Sequence, residues 1–283
     1  ADGPDDLRER LSRIVVGETR DGEPVTVAQL GVTGALMTLL HQTVMPNLVQ
    51  TMEGQPSIIH AGPFGNIAHG CSSIIADKMA LGYADYVITE AGFASDLGFE
   101  KFMHIKTRLS GLPPSAAVLV ASVRALKWHG GVRRRDLTTP DAKAVVSGGD
   151  NLIHHVGIVR GFGLPCVVAI NRFGDDTTEE LSAVKQIAME AGATAAVECD
   201  GFAQGGLGGE ALAQAVVDAA KDDSQITYAY PTDASAQEKV LALAQKIYGA
   251  ADVSWSPEAR RRLQYFESQG WGGLPICMAK THL

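Results

Sequence analysis

The residues best placed to do chemistry lie in glycine-rich polar loops, each of which follows a short apolar run. Phe173 in NRFGDD and Phe202 in DGFAQGG form the clearest pair, because each puts a large ring in such a loop. Two rings from adjacent strand ends can hold a flat heteroaromatic ligand, with roughly 0.5–1.5 kcal/mol per aromatic pair beyond area burial. Each ring could also fold back as a hydrophobic plug, and spacing alone does not separate these interpretations.

Three earlier loops repeat the pattern, in segments 58–70, 86–98 and 118–131. Ligands of open α/β sheets bind beyond the carboxyl ends of the parallel strands, so the loops predict one shared cleft of an enzyme. The loop 61–66, AGPFGN, precedes a predicted helix that Asn66 would cap, and its glycines would let an anion approach the free N–H groups. A tight turn that needs glycine only for its backbone angles is an equal alternative.

The segment 90–102, EAGFASDLGFEKF, predicts a further helix after a glycine-containing turn. Asp96 is expected to cap a helix that starts near Gly98. Glu100, Lys101 and Lys106 would then lie on its exposed turns, so a capped surface helix is favoured over a functional role for these charges.

Several classes of function are disfavoured. The net charge of −8 over 283 residues argues against a general nucleic-acid surface, which needs a basic face. The eight histidines and four cysteines match no metal-ligand spacing. No apolar run approaches about 18 residues, so no membrane span is expected. Cysteine usage and the lack of a secretory leader predict a cytoplasmic location. No Gly-Lys dipeptide occurs, so any phosphate loop for ATP is expected outside these residues.

The elements that position the loops alternate between short apolar runs and amphipathic stretches. This predicts an α/β fold with a doubly wound, mostly parallel sheet, helices on both faces and two lobes around a cleft. The polar stretch 132–150 predicts a boundary between two lobes, residues 1–150 and residues 151–283. The predicted strands are Ile14–Val16, Ile58–Ile59, Tyr86–Thr89, Ala117–Val123, Cys166–Ile170 and Ala195–Val197. The predicted helices are Ile67–Leu81, Glu179–Ala191, Ala234–Ile247 and Pro257–Phe266.

Several long motifs, in order along essentially the whole chain, resemble those of the formate–tetrahydrofolate ligases. The resemblance implies ligation of formate to tetrahydrofolate through formyl phosphate, giving 10-formyltetrahydrofolate, ADP and phosphate. The motifs are PNLVQTMEGQP (46–56), HAGPFGNIAHGCSSI (60–74), ADYVITEAGFASDLGFEKF (84–102), VRALKWHGG (123–131), GLPCVVAINRF (163–173), GFAQGG (201–206) and GWGGLPICMAKT (270–281).

The resemblance also implies the substrates, the oligomeric state and the extent of the whole enzyme. The substrates would be formate, ATP with Mg²⁺, and tetrahydrofolate, with a monovalent cation such as K⁺, in a homotetramer without nucleic-acid or membrane partners. The family's phosphate loop and its C-terminal end have no counterpart here, so we expect a middle-to-late fragment that is inactive alone. A non-catalytic folate-binding protein and one half of a split enzyme are the alternatives.

By the resemblance, residues 1–150 would be the latter part of a large nucleotide and formyl-phosphate domain, and residues 151–283 a second α/β lobe that carries the folate clamp and is truncated at its C-terminus. Site residues also follow from the resemblance by position. Gly65 and Gly98 would lie against the formyl phosphate, and Phe173, Gly174 and Phe202 would bind the folate. Relatives usually carry Trp at the position of Phe202, and often Pro at 174 and Ala at 65. Phenylalanine keeps the flat face but loses area and the indole N–H, so we expect folate binding to survive in weakened form. The resemblance assigns no general base and no metal ligand.

Overall fold

A computed structural model describes residues 1–60 and 71–279, which form two compact units. The first unit holds the described residues up to Glu90, and the second holds those from Ala91 onward. Within the described residues, no helix is both long and apolar enough to cross a membrane.

The first unit contains three helices and two separate antiparallel strand pairs. Helix α1 begins with a proline and two aspartates in its first turn, residue types that suit a helix N-terminus. The elements are α1 (Pro4–Ser12), β1 (Val15–Glu18) paired with β2 (Pro24–Thr26), α2 (Thr33–Leu40), β3 (Asn47–Gln50) paired with β4 (Pro56–Ile59), and α3 (Ile74–Leu81).

Two sequence predictions fail in this unit. Helix α3 begins at Ile74, because the Ser73 hydroxyl caps it by accepting the Ala76 N–H at 3.0 Å. The cap predicted at Asn66 lies outside the described residues. No strand forms over Tyr86–Thr89, where Ile88 is exposed and no described strand pairs with the segment.

The second unit contains a three-stranded sheet and most of the helices. Its strands are β5 (Ala117–Ala121), β6 (Cys166–Asn171) and β7 (Ala195–Cys199). Its helices are two π-helical segments (Ser95–Phe99 and Phe102–Thr107), α4 (Arg108–Ser110), α5 (Val123–His129), α6 (Ala142–Ser147), α7 (Gly149–Gly161), α8 (Thr178–Glu190), α9 (Gly201–Gln204), α10 (Glu210–Ala219), α11 (Ala236–Lys246) and α12 (Pro257–Ser268). Short 3-10 turns cover Arg134–Asp136, Gly205–Gly209 and Trp271–Gly273.

The sheet is parallel, with strand order β5-β6-β7. The central strand β6 is buried from Cys166 to Ile170, which explains why it reads as a continuous apolar run. Helix α7 precedes β6 and α8 connects β6 to β7, as parallel crossovers require. The mixed α/β class with a parallel sheet is therefore confirmed. The doubly wound, two-lobed arrangement and the division at residue 150 stay predictions.

The predicted helices of the second unit are confirmed to within two residues at each end. Thr177 and Glu180 form a capping box at the start of α8, and Ser235 and Glu238 form another at the start of α11. Helix α12 begins at Pro257, as the proline indicates.

The prediction of an exposed helix after residue 98 is wrong. The helical run begins at Ser95 with Ala94 at its N-cap, so Asp96 lies inside the first turn and is not the cap. Glu100 and Lys101 are completely buried, and Lys106 is almost so. The physical reason is the π-helical geometry: a wider turn places side chains on faces that a period of 3.6 residues does not anticipate.

Candidate functional site at the carboxyl edge of the sheet

Two loops leave the sheet side by side where β6 and β7 end. Asn171 pairs with Cys199 in the last register position of the two strands. The backbone N–H of Arg172 then donates to the Cys199 carbonyl at 3.0 Å, which extends the pairing by one step. The loops that carry Phe173 and Phe202 therefore start together, at the edge where ligands of parallel sheets bind.

The Phe202 ring points into solvent from a closed loop. Its side chain is 100% exposed. The loop is closed because the Asp200 N–H donates to the Gly208 carbonyl, and the Gln204 N–H donates to the Asp200 carbonyl, both at 3.0 Å. Gly208 must be glycine, since a Cβ there would lie 2.3 Å from the Asp200 carbonyl oxygen. Phe202 is therefore an available ring surface and not a hydrophobic plug.

The Phe173 ring is half-buried and is held from two directions. Its backbone N–H donates to the Asp176 carboxylate at 2.8 Å, and its carbonyl accepts the Asp176 N–H at 3.0 Å. The Arg124 guanidinium lies over the ring, 4.0 Å from its centroid. Asp176 therefore holds the backbone of Phe173 and Arg124 contacts its ring, and no local sequence pattern indicates either contact.

Arg124, Asp175 and Asp176 form a polar cluster beside Phe173. The Arg124 guanidinium donates to Asp175 in an ion pair. Burial raises the pKa of Asp176, while the Phe173 N–H and the charge of Arg124 oppose that rise. One buried polar atom of each residue has no hydrogen-bond partner: Arg124 Nε, Asp175 Oδ2 and Asp176 Oδ1. The cluster is therefore a hydrogen-bonded network with three unsatisfied polar atoms among the described residues.

A buried ion pair between α5 and α8 supports the loop that carries Phe173. Lys127 Nζ of α5 donates to Glu180 Oε1 of α8 at 2.7 Å and to the Thr139 carbonyl at 3.0 Å. Glu180 also accepts the N–H groups of Asp141 and Thr177. Burial alone would raise the pKa of Glu180, but these hydrogen bonds outweigh it and lower the pKa to about 2. Glu180 is therefore a stably ionised anchor.

Gly174 occupies an open position in the same loop. It is exposed, and a Cβ built on it would meet no atom within 4 Å. Nothing in the local backbone requires glycine there, so a role of Gly174 in folate binding stays a prediction.

A second polar region surrounds the π-helical segments. Phe93 and Ala94, just before the helical run, have positive φ angles of 66° and 70°, an unusual conformation for residues with a Cβ. The Ser95 hydroxyl and His155 Nδ1 form a hydrogen bond of 2.6 Å that ties this turn to α7. Burial lowers the pKa of His155, so the neutral imidazole is favoured there.

Gly98 is required by backbone packing. A Cβ at Gly98 would lie 1.6 Å from the Gly92 carbonyl oxygen, so only glycine fits. The formyl-phosphate role implied for Gly98 stays a prediction. The other glycine with that implied role, Gly65, lies outside the described residues.

Glu100 and His104 form a buried pair. The sequence pattern predicts an exposed Glu100 and gives no signal for His104. His104 Nε2 accepts the Ala229 N–H at 3.0 Å, so the imidazole proton lies on Nδ1 and is donated to Glu100 Oε1 at 2.6 Å. The imidazole stacks on Tyr230, whose pKa burial raises to about 12. Glu100 Oε2 has no hydrogen-bond partner.

In the part of the chain that the structure describes, no group of three His, Cys, Asp or Glu side chains is placed to hold a metal ion.

A comparison with protein families gives one match over the full length. The family model described as formate–tetrahydrofolate ligase matches residues 1–283.

Comparison with individual proteins gives matches of the same description. A formate–tetrahydrofolate ligase of Methylorubrum extorquens (strain AM1) is 51% identical over 277 residues, which are 98% of this chain and 50% of that protein. A formate–tetrahydrofolate ligase of Roseiflexus castenholzii is 52% identical over 286 residues, 98% of this chain and 51% of that protein. The chain spans about half the length of the curated relatives it matches.

Proposed function

Because this chain belongs to the formate–tetrahydrofolate ligase family, we propose that it supplies the tetrahydrofolate clamp of an enzyme that joins formate to tetrahydrofolate using ATP. Phe173 and Phe202 are the two sides of this clamp. Gly174 lies beside it, and Gly65 and Gly98 lie along the formyl phosphate.

The observation that carries the proposal is the placement of the two rings. They leave the carboxyl ends of adjacent parallel strands, and one is wholly exposed on a loop closed by backbone hydrogen bonds. Exposing a large ring forfeits about 1.5–3 kcal/mol of apolar burial, which a ligand that covers the ring recovers. The pyrimidinone ring of the reduced pterin is planar and has apolar faces, so it suits a space between two such rings.

The chemistry implied for the family proceeds in two transfers. A formate oxygen attacks the γ-phosphorus of ATP, and the bond to ADP breaks to give formyl phosphate. N10 of tetrahydrofolate then attacks the formyl carbon, phosphate leaves, and N10 loses its proton. Phosphoryl transfer depends mainly on positioning and charge neutralisation. The role proposed for this chain is to hold the pterin so that N10 faces the formyl carbon.

The clamp is tested by titrating tetrahydrofolate into the 283-residue chain and measuring heat or intrinsic fluorescence. We expect saturable binding, weakened about tenfold by Phe202→Ala because one stacking face is lost. Leu109→Ala, which also removes an exposed apolar side chain, is the matched control and should bind like the parent chain. Failure of the parent chain to bind tetrahydrofolate would contradict the proposal, and so would equal effects of the two substitutions.

Turnover by this chain alone is a separate question. The sequence has no GxxxxGK[ST] phosphate loop, so we propose that these residues bind tetrahydrofolate without forming product. The measurement is formation of 10-formyltetrahydrofolate by the chain with ATP and formate at high protein concentration. Product formation would show that the ATP phosphates are held without that loop, and would overturn this part of the proposal.

A further inference from the structure

We propose that Arg124 is a positioning residue for the folate clamp, which acts by holding the Phe173 ring in its stacking orientation. This inference rests on the proposed function and adds a residue that the sequence analysis did not single out.

The contact itself is the first reason. The Arg124 guanidinium lies over the Phe173 ring, 4.0 Å from its centroid. A guanidinium is planar and can cover one face of an aromatic ring, which a lysine ammonium cannot do. With one face covered by Arg124, the opposite face is the one left for a flat ligand.

The second reason is that both the backbone and the guanidinium of Arg124 are held in place. Its backbone lies in the first turn of α5, where the Ser122 hydroxyl caps the helix by accepting the Ala125 N–H at 3.2 Å. Its guanidinium is paired with Asp175, from the same loop as Phe173. Both partners are about a third exposed, so the pair adds little to stability, and its effect is to fix geometry.

The third reason is that Asp176 restrains the backbone of the same loop. Its carboxylate accepts the Phe173 N–H at 2.8 Å, while Arg124 approaches the same loop through Asp175. Backbone and ring of Phe173 are therefore held by different members of one cluster.

The fourth reason is that the cluster is not optimised for stability. Arg124 Nε, Asp175 Oδ2 and Asp176 Oδ1 are buried without hydrogen-bond partners. Unsatisfied buried polar atoms destabilise a fold, and natural proteins tolerate them mainly at functional sites.

The expected effect follows from preorganisation. A ring that is not held must be ordered when the ligand binds. Immobilising one side chain weakens binding by about three- to tenfold.

The test is a double-mutant cycle on tetrahydrofolate binding to the full chain, with Arg124→Met, Phe173→Leu and the double variant. We expect Arg124→Met to raise Kd about three- to tenfold in the parent chain and less than about twofold once Phe173 is Leu. Arg124→Lys should restore only part of the affinity, because it keeps the charge but not the planar face.

Arg172→Met is the matched control for charge. Arg172 precedes Phe173 directly, is half-exposed and pairs with Glu198 at 3.6 Å. Its removal changes the net charge as Arg124→Met does, but leaves the ring contact intact, so binding should be nearly unchanged. If Arg172→Met weakened binding as much as Arg124→Met, or if Arg124→Met acted equally with Leu at 173, positioning through the ring would be wrong.

A ligand-free readout separates this inference from the proposed function. With 4-fluorophenylalanine at position 173, the ¹⁹F resonance should shift toward the value of an exposed ring and narrow in Arg124→Met, because the released ring moves faster. Identical ¹⁹F spectra in the two chains would overturn the positioning role, even if tetrahydrofolate binds. A shifted resonance in a chain that does not bind tetrahydrofolate would support the ring contact and reject the clamp.

Discussion

Lys127 Nζ and Glu180 Oε1 lie 2.7 Å apart, and both side chains are buried from solvent. The pair joins α5, which carries Arg124 at its start, to α8, which begins where the loop of Phe173 ends. This buried contact therefore links the helix that carries Arg124 to the helix that follows Phe173.

Lys127→Met should destabilise the chain by about 3–5 kcal/mol, because it leaves the Glu180 carboxylate buried without its cation. Chemical denaturation monitored by circular dichroism measures this. Lys185→Met removes an exposed lysine of α8 and should change the free energy of unfolding by less than about 0.5 kcal/mol. Equal effects of the two substitutions would show that the buried pair does not stabilise the fold.

The ion pair also predicts a dependence of stability on pH. The pKa of Glu180 is lowered to about 2 in the folded chain, so its contribution is fully present above the ordinary carboxyl pKa of about 4.3. That contribution should be lost as the pH falls from about 4.5 toward 2. Unfolding free energies of the parent chain and Glu180→Gln, measured across this range, should differ in slope. Parallel curves would contradict the prediction.

Gly98→Ala should prevent normal folding of the π-helical region. The added methyl group would lie 1.6 Å from the Gly92 carbonyl oxygen, a clash that backbone must move to relieve. Gly157→Ala in α7 is the matched control, since a Cβ there meets no atom within 4 Å, and it should stabilise by about 0.5–1 kcal/mol. Thermal unfolding distinguishes them. A stable Gly98→Ala chain would show that this contact is absent.

The cysteines should differ sharply in reactivity. Cys166 is completely buried in β6, and burial raises its pKa to about 12, so its thiolate is scarce at neutral pH. Cys277 is exposed. Brief alkylation at pH 8 followed by mass spectrometry should label Cys277 first and leave Cys166 unmodified until the chain unfolds. Early labelling of Cys166 would mean that the sheet opens in the folded chain.

Phe202→Trp should tighten tetrahydrofolate binding several-fold without changing stability. The larger indole offers more stacking area, and the side chain it replaces is wholly exposed, so no core packing changes. Binding titrations and unfolding curves of the same preparations measure both quantities. A change in unfolding free energy above about 0.5 kcal/mol would mean that residue 202 packs against the fold.

The sequence predicts most reliably those strands and helices whose signals lie in neighbouring residues. The apolar run of β6 and the amphipathic pattern of α8 are local signals, and both elements begin and end within a residue or two of their predicted bounds. The placement of Phe173 and Phe202 just after strands follows from the same local signals, whereas the pairing of those two strands is a property of the folded sheet.

The failures have different causes. Glu100 and Lys101 were placed on the surface because a period of 3.6 residues was assumed, whereas the segment is π-helical. Arg124 was missed because its partner Asp175 is 51 positions away, and a surface arginine and an ion-paired one have the same local pattern. Only the folded sheet brings them together.

The parallel pairing of β6 and β7 constrains the width of the proposed clamp. Neighbouring strands lie about 4.7–4.9 Å apart, whereas two rings that sandwich a flat molecule need about 7–8 Å between them. The two loops must therefore diverge as they leave the sheet, and their lengths set the gap. In the proposed clamp, a thicker heterocycle would be accommodated by inserting residues between Asp200 and Gly208, not by exchanging one aromatic ring for another.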